Sequence, residues 1–261
     1  MLDGLKRLFS RRVPLPTAWD PVLVWAERER HAFRPLPEGD GFVVEGYFGA
    51  LPWRLEWGPA QRSYIDGHEL RLRAETGAAP GVQAMVLDRT LQAAMEQAVF
   101  DQYVDSVQTR IDRSTPAEMR WLVMLNKASG TELGALREGF AAVSSSRPWM
   151  ACWVEGALAP ALLDAPRAPG QPLVLTLARG RLTLRTALEA PTPEMLDAWL
   201  RIFGTALREL RRAAEQSAAA PPSTQASDWE AGSSRVEGGP SGQTEPADHP
   251  EAGHPPSDEA R

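Results

Sequence analysis

From Phe42 onward the apolar positions fall on every second residue. "FVVEGYF", "WRLEW" and "HELRLRAE" alternate apolar with polar, and together with "RSYI" they predict four successive strands. Gly58-Pro59 and Asp66-Gly67 separate the last three, and Asp-Gly suits a two-residue hairpin because both residues tolerate positive φ. Parity then assigns faces. Trp53, Leu55 and Trp57 point the same way as one another, as do Leu70, Leu72 and Ala74, whereas Arg54, Glu56, Glu69, Arg71, Arg73 and Glu75 point oppositely. The apolar side belongs in a core. The other side carries both signs and can satisfy itself through cross-strand pairs worth about 0.2–1 kcal/mol each. A second alternation, "LVLTLARGRLTLRTAL", puts Leu173, Leu175, Leu177, Leu182 and Leu184 on one face about a turn at Arg179-Gly180, which is the pattern of a hairpin.

Elsewhere the period is helical. "PVLVWAERERHAF" reads as a helix. Leu87, Leu91, Ala94, Met95, Ala98 and Val99 recur at helical spacing around a cap at Asp88. "TPAEMRWLVML" opens with Thr115, Pro116 and Glu118, a capping box with a proline start that predicts a helix, although "RWLVML" alone would also suit a buried strand. Thr192-Pro193-Glu194 opens a long helix with the stripe Leu196, Trp199, Leu200, Phe203, Ala206, Leu207 and Leu210. Between residues 134 and 163 periodicity decides little. "FAAVSSS" and "MACWVEG" read as short buried strands and "ALAPALL" as a helical turn. Strand and helix do not alternate regularly, so the expected class is α+β: an antiparallel β-meander and a hairpin packed with helices, a long C-terminal helix and a disordered C-terminal tail. The body, residues 13–216, forms either one domain or two sub-domains meeting near 128–134.

Composition sharpens the ends of the chain. Residues 217–261 hold eight acids and two arginines among Pro, Gly, Ser and Ala, so this tail carries the whole net charge of -6 and residues 1–216 together are neutral. With Trp229 and Val236 as its only bulky apolar residues, the tail is expected to be disordered. A chain neutral outside its tail lacks the basic footprint of a nucleic-acid binder. Residues 1–12 set Leu2, Leu5, Leu8 and Phe9 near one helical face and Lys6, Arg7, Arg11 and Arg12 mostly off it. They read either as a short helix packed on its own domain or as a basic amphipathic segment resting on a membrane surface or a partner. The chain has no apolar run of spanning length, and its one cysteine, Cys152, cannot form an internal disulfide; both fit a cytoplasmic protein.

Searches for chemistry return little. There is no G-x-x-x-x-G-K-[ST], and Gly39 and Gly41 are followed by Val44 where a dinucleotide fingerprint needs its third glycine. No G-x-S-x-G is present, and His68-Glu69 is followed by Leu72 rather than the second histidine of a zinc hydrolase. Asp101 and Asp105 share a helical face without a third ligand, and His249 and His254 lie in the tail, so no metal and no cofactor is expected. Cys152, with no local cation or histidine, reads as a packing residue. The tryptophans at 53 and 57 go to the core with Leu55. Tyr64 and His68 keep no structural task, and with Glu56 they are the candidate ligand-binding residues.

"EGYFGALPWRLEWGPAQRSYI", "TPAEMRWLVML" and the final hairpin and helix resemble a family of uncharacterised proteobacterial proteins over the whole ordered body. The resemblance implies no activity, fold or site residue. The expected function is a non-catalytic binding or assembly module with a protein partner. Two alternatives stand beside it. One is an enzyme or small-ligand-binding protein with Glu56, Tyr64 and His68 beside the first sheet; the other is attachment to a membrane surface through Leu2, Leu5, Lys6 and Phe9.

Overall fold

The computed structural model describes residues 17–37, 39–105 and 116–219. The segment holding Leu2, Leu5, Lys6 and Phe9, and the tail from residue 220 onward, lie outside the described residues. The strands are β1 (Ala32–Pro35), β2 (Phe42–Phe48), β3 (Leu51–Pro59), β4 (His68–Glu75), β5 (Ala84–Asp88), β6 (Asn126–Lys127), β7 (Phe140–Ser144), β8 (Leu173–Ala178) and β9 (Arg181–Ala187). They form one sheet in the order β1-β2-β3-β4-β9-β8-β5-β7-β6, with each neighbouring pair antiparallel. The helices are α1 (Asp20–Arg28), α2 (Arg89–Asp105), α3 (Ala117–Met124), α4 (Gly130–Leu133), α5 (Arg147–Val154), α6 (Leu158–Leu163) and α7 (Pro193–Ala219). The chain is thus α+β, with an antiparallel sheet and a long final helix. No helix among the described residues is long and apolar enough to cross a membrane.

Alternation becomes layering. Trp53, Leu55, Trp57, Leu70, Leu72, Ala74, Leu182 and Leu184 are all buried on one face of the sheet. There they share a core with α1, α5, α6 and α7, whose stripe from Leu196 to Ala213 is likewise buried. The hairpin β8–β9 turns through Arg179 and Gly180, both at positive φ (52° and 75°), the backbone of a tight turn matched to strand twist. That hairpin inserts between β4 and β5, and residues on both sides of 128–134 contribute to the same sheet. The second face is covered unevenly. Over β5, β7 and β8, Met85, Leu87, Val143 and Val174 pack beneath Met95 of α2 and Leu122 of α3. Over β9, α3 reaches the charged side chains through Glu118, whose carboxylate lies 3.9 Å from Arg185 Nε, while toward the rim Arg34, Glu45 and Glu75 are exposed.

Four expectations change. "RSYI" is not a strand: the β3–β4 ladder ends at Pro59↔His68, and residues 60–67 form a connection closed by the Ala60 amide donating to Gly67 O at 3.1 Å. Ile65 is buried there, while Arg62 and Tyr64 turn their polar ends to Glu118. "MACWVEG" belongs to helix α5, because Trp149, Met150, Trp153 and Val154 are buried at helical rather than alternating spacing. Leu87 lies in β5, all five residues of which are buried; a strand covered on both faces shows no alternation. Asp88 nonetheless caps α2, its Oδ1 accepting from the Thr90 and Leu91 amides at 2.9 and 3.3 Å. Finally, "PVLVWAERERHAF" contains a helix only to Arg28; Arg30 at φ 60° turns the chain into β1. Helix settles the ambiguity over "RWLVML". Pro116 occupies the N-cap of α3, Thr115 lies outside the described residues, and Glu118 uses its carboxylate on Arg62 and Tyr64.

Candidate functional site: an arginine-rich open face of the sheet

The uncovered half of the sheet is built from the polar positions of β2, β3, β4 and β9, and its register decides its electrostatics. Arg54 lies directly opposite Arg73, and Arg71 directly opposite Arg185. Like charges across a ladder destabilise it by roughly the 0.2–1 kcal/mol that opposite charges contribute. Carboxylates interleave with these arginines but are outnumbered. Glu56 serves three of them, Arg54, Arg71 and Arg73, the last at 3.0 Å. Glu69 pairs with Arg185 and accepts from the Gln61 amide at 2.8 Å. Glu118, brought over from α3, accepts from Arg62 Nε at 3.0 Å and the Tyr64 hydroxyl at 3.3 Å, with Arg185 Nε at 3.9 Å. Arg54, Arg62, Arg71, Arg73 and Arg185 therefore share Glu56, Glu69 and Glu118 in the middle of the face, and Arg54 also reaches Glu45 at the rim at 2.9 Å.

Burial makes that imbalance matter. The side chains of Arg71, Arg185, Glu56, Glu69 and Glu118 are between 2% and 12% exposed, so their fields are weakly screened. Arg71 gives Nη1 to the Gln61 side chain and Nη2 to Glu56, yet its Nε is buried without a partner among the described residues. Burial, then the positive charges of Arg185, Arg73 and Arg54, push the Arg71 guanidinium down to about 10. Burial raises the Tyr64 phenol, and the Glu118 charge raises it further. Glu118 Oε2 is also buried and unpartnered. At the rim, burial pushes the Glu45 carboxyl up, but the hydrogen bonds and charges of Arg34 and Arg54 outweigh it and leave it below the usual range.

Beside this cluster a groove of about 610 Å³ runs between β8–β9 and α3. Arg62, Arg120, Arg179, Arg181 and Arg185 line it against Glu75 and Glu118, with Thr176 and Thr183 on its floor. Arg179 contributes from its left-handed turn position, a conformation that costs a non-glycine residue roughly 1–2 kcal/mol.

The sequence-derived candidates part company here. Glu56 and Tyr64 lie on the open side, Glu56 in the arginine cluster and Tyr64 on Glu118. His68 points to the apolar side, where its ring stacks on Trp57 at 4.5 Å and 5°. Parity explains the difference, since His68 shares its face with Leu70 and Leu72. Sequence reasoning misses Arg185, Arg62 and Glu118: the contacts that assemble them, Arg62 and Tyr64 with Glu118 and Arg185 with Glu69 of β4, span 54 to 116 residues of chain. The only local signal was that Arg71 and Arg73 share parity. Elsewhere, Cys152 is half-buried on α5, and its carbonyl accepts from Arg212 Nη2 at 2.7 Å. Asp101 accepts from the Gln97 side chain at 2.7 Å, and the described residues contain no group of three or more His, Cys, Asp or Glu placed to hold a metal.

No protein-family model, no curated protein and no solved structure matches this chain.

Proposed function

We propose that the chain is a non-catalytic binding module that takes an acidic segment of a protein partner across the open half of its sheet. The observation that carries this reading is the pair of like-charge oppositions, Arg54↔Arg73 and Arg71↔Arg185, in a half-buried face where arginines outnumber carboxylates. A face built only to be solvated would alternate its signs. This one holds repulsion that an added carboxylate relieves. Arginine's planar fork matches carboxylates, and every ion pair already on the face is of that type. The interleaved glutamates Glu45 and Glu75 disfavour a uniformly charged polyphosphate backbone.

The test is fluorescence anisotropy of a labelled glutamate-rich peptide titrated with the full chain. Binding is expected at low salt and should fall with ionic strength. Arg54→Gln with Arg73→Gln should weaken it by about tenfold, the equivalent of roughly 1.4 kcal/mol over two partly exposed pairs. Absence of binding, or affinity unchanged by the double substitution, refutes the reading.

A further inference from the structure

On the helix-covered side of the sheet, a cavity of about 390 Å³ opens between the β2–β3 turn and α7, within the size range of small-molecule sites. We propose that it binds a small aromatic monocarboxylate. The site is independent of the arginine face and does not rest on the reading given to it.

The aromatic wall comes from sequence features already described. Trp53 on β3 is 3% exposed, and the His31 ring stands edge-on to it at 4.8 Å. Both rings need Gly46 beneath them, because a Cβ there would lie 2.4 Å from Trp53 Cζ2 and 2.7 Å from His31 Nδ1. Phe48 packs on Trp53 at 5.7 Å and against α7 at Gly204, where a Cβ would come within 3.3 Å of its ring. The half-buried His31 and Phe48 rings, packed on the buried Trp53, offer a flat apolar surface to a flat apolar body.

Polar side chains line the same space. Trp53 Nε1 is buried and has no hydrogen-bond partner among the described residues, whereas Trp25, Trp57 and Trp153 each donate, to Asp197 Oδ1, Leu188 O and Ala206 O. Trp149 and Trp199 share this state but do not line the cavity. Arg201 and Arg208, two helical turns apart on α7, face the cavity with no carboxylate within ion-pair distance among the described residues; Arg208 gives Nη2 to Thr205 at 2.9 Å. Asp197, which accepts from Trp25, is the cavity's one carboxylate. Burial lowers the His31 imidazole, with the Glu29 and Asp197 charges opposing. Two arginines against one aspartate make the lining itself basic on balance, the complement of an anionic ligand.

The experiment uses the full chain and phenylacetate, with phenylacetamide as the uncharged isostere, observed on the indole N–H cross-peaks in a proton–nitrogen spectrum. Trp53→Phe assigns the peak. Phenylacetate is expected to shift the Trp53 peak saturably, with affinity at least about tenfold above the amide, and Arg201→Gln with Arg208→Gln should cost a similar factor. Both arginines are exposed, so the double variant should keep its fold, checked by circular dichroism. No shift at millimolar phenylacetate, equal binding of the amide, or affinity unchanged by the double substitution overturns the proposal.

Discussion

Replacing Glu118 by glutamine tests whether the centre of the open face is held by charge. The side chain is 5% exposed, with Oε1 bonded to Arg62 Nε at 3.0 Å and Tyr64 at 3.3 Å and facing Arg185 Nε at 3.9 Å. Glutamine keeps an oxygen there but removes the charge, and hydrogen bonds to charged groups are worth about 1.5–3 kcal/mol. It also sets an amide N–H at the position of Oε2, which is buried and unpartnered, adding a desolvation cost of about 1–3 kcal/mol. Removing one partner of a fully buried pair costs about 3–5 kcal/mol. Arg62 is partly exposed and Arg185 retains Glu69, so the lower end applies, about 3 kcal/mol. Urea denaturation followed by tryptophan fluorescence measures the loss, and the midpoint of thermal unfolding should fall by about 6–12 °C. Glu45→Gln, at a rim carboxylate 40% exposed, serves as the control and should cost under about 1 kcal/mol. Glu118→Gln within about 0.5 kcal/mol of the parent would refute the picture of a charge-held centre.

Gly46→Ala should lose about 1–3 kcal/mol by overpacking, since the new methyl lands on Trp53 and His31; calorimetry checks this, and an unchanged melting temperature contradicts the packing described. Trp57→Phe deletes the buried bond to Leu188 O at 2.7 Å and should cost about 1–3 kcal/mol in urea titrations, with the hairpin fold retained by circular dichroism. Hydrogen bonds from Arg147 and from the backbone and hydroxyl of Ser129 hold the Glu132 carboxyl down at about 2. A carboxyl depressed on folding stabilises the native state above its unfolded value of about 4.3 and loses that contribution as pH falls toward the folded value. Melting temperatures across this acid limb should therefore fall less steeply for Glu132→Gln than for the parent.

The apolar half of the molecule was legible in the letters because period and burial coincide there: Trp53, Leu55 and Trp57 alternate into the core, and the α7 stripe is buried as its spacing required. Where both faces are covered, as in β5, alternation vanishes and Leu87 was drawn into the following helix. The run "MACWVEG" is short and almost wholly apolar, so its letters fix no period, and only the burial of Trp149, Met150, Trp153 and Val154 against α7 decides for helix. The site was half visible. Parity placed Glu56, Arg71 and Arg73 on one side, but the opposition of Arg71 to Arg185 depends on β9 pairing with β4 across more than a hundred residues, a choice that no local pattern records. Tyr64 was singled out with no partner in view; that partner, Glu118, already had a helix-capping reading of its own.

The side-chain Nε–Hε cross-peaks of the arginines, followed by NMR as a glutamate-rich peptide is added to the full chain, locate the contact directly. Peaks of Arg54, Arg73, Arg181 and Arg185 on the open face should shift saturably, while those of Arg28, Arg137 and Arg147, which lie in exposed pairs elsewhere, should stay in place. Shifts confined to the second group, or none in the first at saturating peptide, would contradict the assignment of the open face as the binding surface.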